Sequence, residues 1–171
     1  MPTPTLTAAE LTIRPLDPSG DAAALHAVFG DREQLRFMLR EPFPDVAGTR
    51  AQLERWATDE TSPQWALVTE SGEVVGRVTL MPKRAGVCEV GVQVVPGCQR
   101  RGYARRAIDA VTRYAFESLG AFRVFADIDP GNVACVRAFE RAGFEREGVL
   151  RANWVVDGVP YDSVILARLR P

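Results

Sequence analysis

Apolar and polar residues alternate along several short segments of the chain, a pattern typical of half-buried β-strands. The first such segment is ELTIRPL, at residues 10–16. A longer stretch, QWALVTESGEVVGRVTLMP, contains two strands around Ser71-Gly72, a pair of residues that favours a hairpin turn. A tight turn at Ala85-Gly86 leads into a third strand, GVCEVGVQVV. We therefore expect three consecutive antiparallel strands in the middle of the chain.

Helical spacing of apolar residues marks three further segments. In PSGDAAALHAVFGD, Ser19 or Asp21 is the expected N-cap and Gly30 the expected end. The stretch DVAGTRAQLERWATDE carries a thin apolar stripe. The segment GYARRAIDAVTRYAFESLG has a well-developed apolar face that Gly120 closes. These patterns predict two helices before the strand meander and one directly after it.

The last third of the chain predicts a strand, a short helix and a hairpin. FRVFADID forms the strand and stops at Pro130-Gly131, and NVACVRAFERAG forms the helix. Asp157-Gly158 separates two alternating apolar runs, which is a strong hairpin signal. The whole order predicts a mixed α/β fold in one domain, residues 11–171, after a flexible tail at residues 1–10.

Length and charge exclude several classes of protein. The chain has 171 residues, 46% of them apolar, and a formal net charge of -1. A near-neutral chain has no general attraction for nucleic acid or for an anionic membrane, so we expect neither as a partner. The sequence also contains no apolar run long enough to span a bilayer and no secretory signal pattern, which predicts a cytoplasmic protein.

Cysteine and histidine usage narrows the chemistry further. Cys88, Cys98 and Cys135 are scattered, form no CxxC motif and match no zinc spacing, so no metal is expected. His26 is the only histidine in the sequence. A histidine-based triad and a multi-histidine metal site are therefore excluded.

Gly102 lies among arginines in the loop between the third of the three consecutive strands and the following helix. This loop, QRRGYA at residues 99–104, feeds a helix N-terminus, where unpaired amides favour phosphate. Gly102 permits close approach of phosphate oxygens because it has no side chain. The segment lacks the GxxxxGK motif of NTPases and the GxGxxG motif of dinucleotide-binding folds. The alternative is an ordinary helix start whose arginines face solvent.

QRRGYA resembles the Q/R-x-x-G-x-G/A loop of the GNAT superfamily of acyl-CoA-dependent N-acetyltransferases. NVACVRAFERAGF resembles the second signature of that superfamily, an asparagine followed by a short helix. CEVGVQVVP and the C-terminal hairpin resemble the branch that contains the RimJ/RimL ribosomal-protein N-terminal acetyltransferases. The resemblance runs from about Leu11 to the end of the chain. It implies a splayed, mostly antiparallel sheet of six to seven strands, flanked by about four helices.

The resemblance also implies acetyl-CoA as co-substrate and a set of residues that hold it. The strand edge at Val92, Gln93 and Val94 would pair with the pantetheine arm, and Asn132 would hydrogen-bond the same arm. Asn132 serves equally well as the N-cap of the following helix. A bulge in the GVCEVGVQVV strand is the expected device that splays the sheet. The backbone amides that would hold the pyrophosphate belong to Arg100, Arg101, Gly102, Tyr103, Ala104 and Arg105.

Direct attack by the amine in a ternary complex is the implied reaction, but the catalytic residues of the relatives do not carry over. Phe139 stands where many members have a tyrosine acid, and Cys135 stands where the ribosomal enzymes have a serine. Cys135 is a weak candidate acid and, without a histidine partner, a poor nucleophile. Glu89 and Asp127 lie in otherwise apolar strands, where burial would raise the pKa of either carboxyl. These two are the candidate general bases.

The acceptor is expected to lie against the first two helices and the C-terminal hairpin. Acidic side chains there would suit a cationic amine, either a protein or peptide N-terminus or a small amine such as a polyamine or an aminoglycoside. A non-catalytic acyl-CoA sensor is the alternative, and a homodimer is also possible from the resemblance. The side chains proposed for this side are Phe29, Phe37, Phe43, Trp56, Trp154 and Tyr161, with the acids Asp31, Glu33, Glu41, Asp45 and Asp157.

Overall fold

A single sheet flanked by helices on both faces organises the protein. The computed structural model describes residues 3–171, which contain eight strands, five α-helices and a 3-10 turn at Pro96–Cys98. The strands are β1 Leu6–Ala8, β2 Leu11–Pro15, β3 Gln64–Thr69, β4 Val74–Arg84, β5 Val87–Val94, β6 Arg123–Ile128, β7 Glu145–Val156 and β8 Val159–Leu169. The helices are α1 Pro18–Phe29, α2 Arg32–Leu35, α3 Val46–Ala57, α4 Tyr103–Glu117 and α5 Val133–Arg141.

The sheet has the order β1-β2-β3-β4-β5-β6-β8-β7, and only the β5–β6 pair is parallel. The mixed, mostly antiparallel α/β fold is therefore confirmed. The turns that join the meander and the last hairpin fall at the predicted residues. Gly72, Gly86 and Gly158 all have positive φ, a conformation that a residue without a side chain adopts at little cost.

Three details of the fold differ from expectation. Residues 6–8, expected in a tail, form β1 because Leu6 pairs with Ile13 and packs on the core; residues 1–2 lie outside the described part. Asp17, not Ser19 or Asp21, caps α1, because its carboxylate accepts a hydrogen bond from the amide of Ser19. Ser19 and Asp21 lie within the helix, and Asp21 pairs with Arg14. The pattern also missed α2, whose single turn is too short to show a helical period.

The helices cover the two sheet faces separately. α4 and α5 pack on one face in the larger apolar cluster, which includes Trp65, Ile108 and Leu166. α1, α2 and α3 pack on the other face around Leu25 and Phe29. Within residues 3–171 no helix is long and apolar enough to cross a membrane, and no group of three or more His, Cys, Asp or Glu is arranged to hold a metal.

Candidate active site

The two central strands diverge halfway along the sheet. β5 and β6 pair only from Val87 to Glu89, with Glu89 opposite Phe125. Beyond Glu89, β5 runs on to Val94 paired with β4 alone. The strands can diverge because β4 and β8 still satisfy their outer sides. The predicted splay is present, and it leaves the β6-facing edge of residues 90–94 open.

The expected bulge does not lie in β5. The register shift between β4 and β5 falls in β4, between Pro82 and Arg84. Proline has no amide hydrogen to donate to the neighbouring strand, so Pro82 itself explains why the hydrogen-bond register shifts at this point. The splay therefore follows from the end of the β5–β6 pairing and not from an extra residue in β5.

The N-terminus of α4 lies at the far end of the open edge and presents unpaired amides. Gly102 is the N-cap, with a φ of 82° and no side-chain cap. In the first backbone hydrogen bond of the helix, the amide of Arg106 donates to the carbonyl of Gly102 at 3.2 Å. The amides of residues 100–105 donate to no backbone carbonyl in residues 3–171. Such a set of free N–H groups is a ready site for an anion.

Arginines give this loop its positive charge. Arg100 has a φ of 64°, which is strained for a residue with a side chain. Arg100 and Arg101 are exposed and make no ion pair within the described chain, whereas Arg105 and Arg106 are paired with Asp109 and Glu10. Two arginine charges thus remain available beside the free amides.

Asn132 and Cys135 lie together at the start of α5. The Oδ1 atom of Asn132 accepts a hydrogen bond from the backbone amide of Cys135 at 3.2 Å, so the asparagine is an N-cap. Its side-chain NH2 group makes no hydrogen bond within residues 3–171. Burial raises the pKa of the Cys135 thiol to about 12. The thiol therefore keeps its proton at neutral pH.

A cleft of about 580 Å³ opens at the divergence, on the side covered by α1, α2 and α3. Both candidate bases line it, and so do four of the aromatic residues proposed from the sequence, Phe37, Trp56, Trp154 and Tyr161. The other two do not line it, since Phe29 is buried in the core and Phe43 packs against that core. The lining residues are Phe37, Met38, Leu39, Trp56, Asp59, Ser62, Gln64, Arg77, Thr79, Met81, Glu89, Val90, Gly91, Gln93, Asp127, Asp129, Trp154, Val156, Tyr161, Asp162 and Ser163.

Apart from the two candidate bases, the acids of the cleft are not the ones proposed from the sequence. None of Asp31, Glu33, Glu41, Asp45 and Asp157 lines it, because those residues cap helices, form exposed ion pairs or lie in turns. Asp59, Asp129 and Asp162 line the cleft instead, beside Glu89 and Asp127. Asp129 is the last residue of the strand predicted from the sequence and directly follows the observed end of β6, and its place before the Pro130-Gly131 turn was the signal available in the sequence.

Glu89 and Asp127 reach the cleft from the two diverging strands. Glu89 is mostly buried, and its Oε2 atom lies 3.0 Å from the ammonium of Lys83. The Oδ2 atom of Asp127 accepts hydrogen bonds from Asn153 at 2.9 Å and from the indole of Trp154 at 3.2 Å. The hairpin thus holds Asp127 in place, and Lys83 is the only ion-pair partner of Glu89 within residues 3–171.

Comparison with known proteins identifies this arrangement. Residues 10–145 match the family model described as an acetyltransferase (GNAT) domain. The chain belongs to the GNAT family. It is therefore an acyltransferase, and the divergent sheet and the open α4 N-terminus belong to an acetyl-CoA-dependent N-acetyltransferase.

Individual relatives agree with this assignment over nearly the full chain. The uncharacterized N-acetyltransferase YoaA of Bacillus subtilis is 26% identical over 88% of this chain and 89% of its own length. The spermidine N(1)-acetyltransferase of Vibrio cholerae is 22% identical over 87% of each. A GNAT-family acetyltransferase from Bacillus anthracis has the same fold, with a TM-score of 0.88, 21% identity and coverage of 97% and 98%.

The Vibrio cholerae spermidine N-acetyltransferase has also been solved in complex with CoA and spermine. Its TM-score to this chain is 0.80 at 21% identity, with 94% of this chain and 96% of that chain covered. At this identity the likeness concerns the fold. The same fold thus accommodates CoA and an amine together in that protein.

Proposed function

We propose that this GNAT protein acetylates a primary amine by direct attack within a ternary complex, with the amine bound in the cleft beside Glu89. The observation that supports this most strongly is the divergence of β5 and β6. It opens one cleft between the open β5 edge and the acidic side chains on the α3 side of the sheet. The acetyl donor and the amine can then meet at the point where the strands part.

The residues present fit acetyl-CoA. A Cβ atom built on Gly102 would have no neighbour closer than 3.9 Å, so the space over the α4 N-terminus is open. We assign the pyrophosphate to the amides of Arg100 through Arg105, and the pantetheine arm to Val92, Gln93, Val94 and Asn132. Acetyl-CoA, when bound, supplies the acetyl group as a thioester. The chain itself must orient the amine and accept its proton.

Glu89 is the proposed proton acceptor, directly or through one water. It stands in the last paired row before the strands diverge, and its other oxygen atom is free of ion pairs within residues 3–171. Asp127 is the second candidate, although two donors already occupy its Oδ2 atom. Cys135 remains a weak candidate acid, because a thiol with a pKa of about 12 gives up its proton reluctantly.

The acceptor is proposed to be a small amine or a peptide N-terminus. Five carboxylates line the cleft, and such a lining attracts an ammonium group. The relatives named as spermidine acetyltransferases support the small-amine class. Membership of the RimJ/RimL-like branch and a homodimer both stay predictions.

Turnover of an amine panel tests this function. Release of CoA is measured with spermidine, with a peptide that has a free N-terminus and with the N-acetylated peptide as the negative control. Glu89→Gln is expected to lower kcat/KM by about 10²- to 10⁴-fold, the usual contribution of a general base. Glu117→Gln, which changes an exposed carboxylate at the end of α4, is the matched control.

The outcomes separate the alternatives. If Glu89→Gln and Asp127→Asn both keep near wild-type kcat/KM, neither carboxylate is the base. If acetyl-CoA binds but no primary amine in the panel is acetylated, the protein is better described as an acyl-CoA sensor. Loss of the tyrosine and serine found in relatives would then have abolished the chemistry.

A further inference from the structure

Arg77 is a buried cation in the wall of the cleft. It lies in the middle of β4, between Ala66 of β3 and Gln93 of β5, and only 4% of its surface is exposed. Its Nη2 atom donates to Oε1 of Gln64 at 2.8 Å, and its buried Nε atom has no hydrogen-bond partner. Thus part of this guanidinium is unsatisfied although the residue lines a cavity.

No carboxylate within residues 3–171 lies within 4 Å of Arg77. Aromatic rings partly compensate the charge instead. The guanidinium carbon lies 4.0 Å from the ring centroid of Trp56 and 5.7 Å from that of Phe29. Burial lowers the pKa of Arg77 to about 9, and the positive charge of Arg40 acts in the same direction. Arg77 therefore stays charged at neutral pH, without a counter-ion.

Gln93 provides a second unsatisfied polar atom at the same place. It lies directly opposite Arg77 in the β4–β5 ladder, so the two side chains share the face that lines the cleft. Its buried Oε1 atom has no hydrogen-bond partner. The Nε atom of Arg77 and the Oε1 atom of Gln93 thus lie in the same wall, and neither has a hydrogen-bond partner within residues 3–171.

The charge of the cleft changes along β5. Glu89 lies at the divergence, and Gln93 lies four residues further along the strand. At about 3.3 Å per residue, their Cα atoms are about 13 Å apart. The carboxylate at the reaction point and the guanidinium of Arg77 therefore belong to rows of the sheet that are well separated along the cleft.

From this arrangement we infer that the acceptor is an amine that also carries a carboxylate, and that Arg77 binds this carboxylate. The inference rests on the proposed function, because it assigns the acceptor of that same cleft. A guanidinium matches a carboxylate with two parallel hydrogen bonds, and such pairs are strongest where water is excluded. An N–H group of the same molecule would satisfy Gln93. A polyamine without an acid group would leave Arg77 unpaired.

A purely structural role for Arg77 is the competing explanation. The guanidinium stacks on Trp56 of α3 and so ties that helix to the sheet. Loss of this contact would destabilise the protein and would lower the activity toward every acceptor equally. Only a binding role predicts that the effect of a substitution depends on whether the acceptor carries a carboxylate.

Matched pairs of acceptors test the inference. The panel contains ω-amino acids of increasing length and dipeptides with free N-termini, each compared with its carboxamide. We expect the wild type to favour the acid by on the order of 10- to 100-fold in kcat/KM, the range of one charge-assisted hydrogen bond. The difference should lie in KM, since Arg77 is remote from the reacting atoms. Arg77→Gln should abolish the preference, and Arg77→Lys should retain part of it.

Arg146→Gln is the matched control, because Arg146 is an exposed arginine of β7 that makes no ion pair in the described chain. Melting temperature is measured for every variant with each acid and each amide, with and without acetyl-CoA. If Arg77→Gln does not fold, Arg77→Lys keeps the test decisive, because it retains the charge and loses the bidentate geometry.

A wild-type preference near one, or a loss in Arg77→Gln that is equal for acids and amides, would overturn the inference and leave the acetyltransferase function intact. If no amine is acetylated, the proposed function fails. In that case, a rise in melting temperature that requires both the carboxylate of the acceptor and Arg77 would still support the anion site. If the melting temperature does not rise, the anion site is overturned.

Discussion

Replacing Gly102 by alanine separates the two roles that this glycine has at the start of α4. Its φ of 82° requires a left-handed backbone, and the absence of a side chain leaves the α4 amides open to a ligand. Gly120, beyond the other end of the helix, has a φ of 67°, and a methyl group on its Cα would meet no atom within 4 Å. Gly120→Ala therefore carries the same backbone strain far from the proposed pyrophosphate site.

The strain of either substitution follows from the backbone. An alanine in the left-handed region costs about 1–2 kcal/mol. For a domain of this size, that free energy corresponds to a fall in Tm of roughly 2–8 °C. The new methyl of Gly102→Ala meets Arg106 at 3.9 Å, which is ordinary contact and adds no clash. Both variants should therefore fold and lose similar stability.

Binding of acetyl-CoA should distinguish the two variants. A methyl group over the α4 amides would displace the pyrophosphate from at least one charge-assisted hydrogen bond, worth about 1.5–3 kcal/mol. Isothermal titration calorimetry should show a Kd roughly 10- to 100-fold higher for Gly102→Ala than for the wild type, and an unchanged Kd for Gly120→Ala. A Kd for Gly102→Ala within about twofold of the Gly120→Ala value would refute the assignment of the pyrophosphate to this helix.

Two further predictions concern buried groups. Cys135→Ala should retain kcat/KM within about threefold, because a thiol with a pKa of about 12 is neither a ready acid nor an ionised nucleophile at neutral pH. Detection of an acetylated Cys135 by mass spectrometry would contradict this prediction. Asp21→Asn should lower the free energy of unfolding in urea by about 3 kcal/mol, since it breaks a buried ion pair with Arg14. Glu41→Gln, which breaks the exposed ion pair with Arg32, should lower the free energy of unfolding by less than about 1 kcal/mol. Equal losses in Asp21→Asn and Glu41→Gln would mean that burial does not strengthen the ion pair.

The sequence predicted best those features that depend on local chemistry. Ser71-Gly72 and Asp157-Gly158 turn where expected because the backbone at Gly72 and Gly158 requires a residue tolerant of positive φ. Gly102 was found for a different local reason, since a residue without a side chain among arginines at a helix N-terminus permits close approach of a phosphate. The strands and long helices were found from their periodicity, which burial on one face imposes.

Features that depend on tertiary placement could not be read in this way. Arg77 occupies a polar position in an alternating strand and looks like an exposed side chain in the sequence. It is buried only because α1 and α3 cover that face of the sheet. Likewise, Asp59 and Asp162 come from distant segments and reach the cleft only after folding.

The most direct test of the account is the melting temperature of the wild-type protein with and without acetyl-CoA, with desulfo-CoA and adenosine diphosphate as controls. Ligand at a hundredfold its Kd adds about 2.7 kcal/mol of stability. For a chain of this length, the account predicts a rise of roughly 5–10 °C with acetyl-CoA. No rise at millimolar acetyl-CoA would contradict it, because the α4 amides and the open β5 edge would then hold no acyl donor.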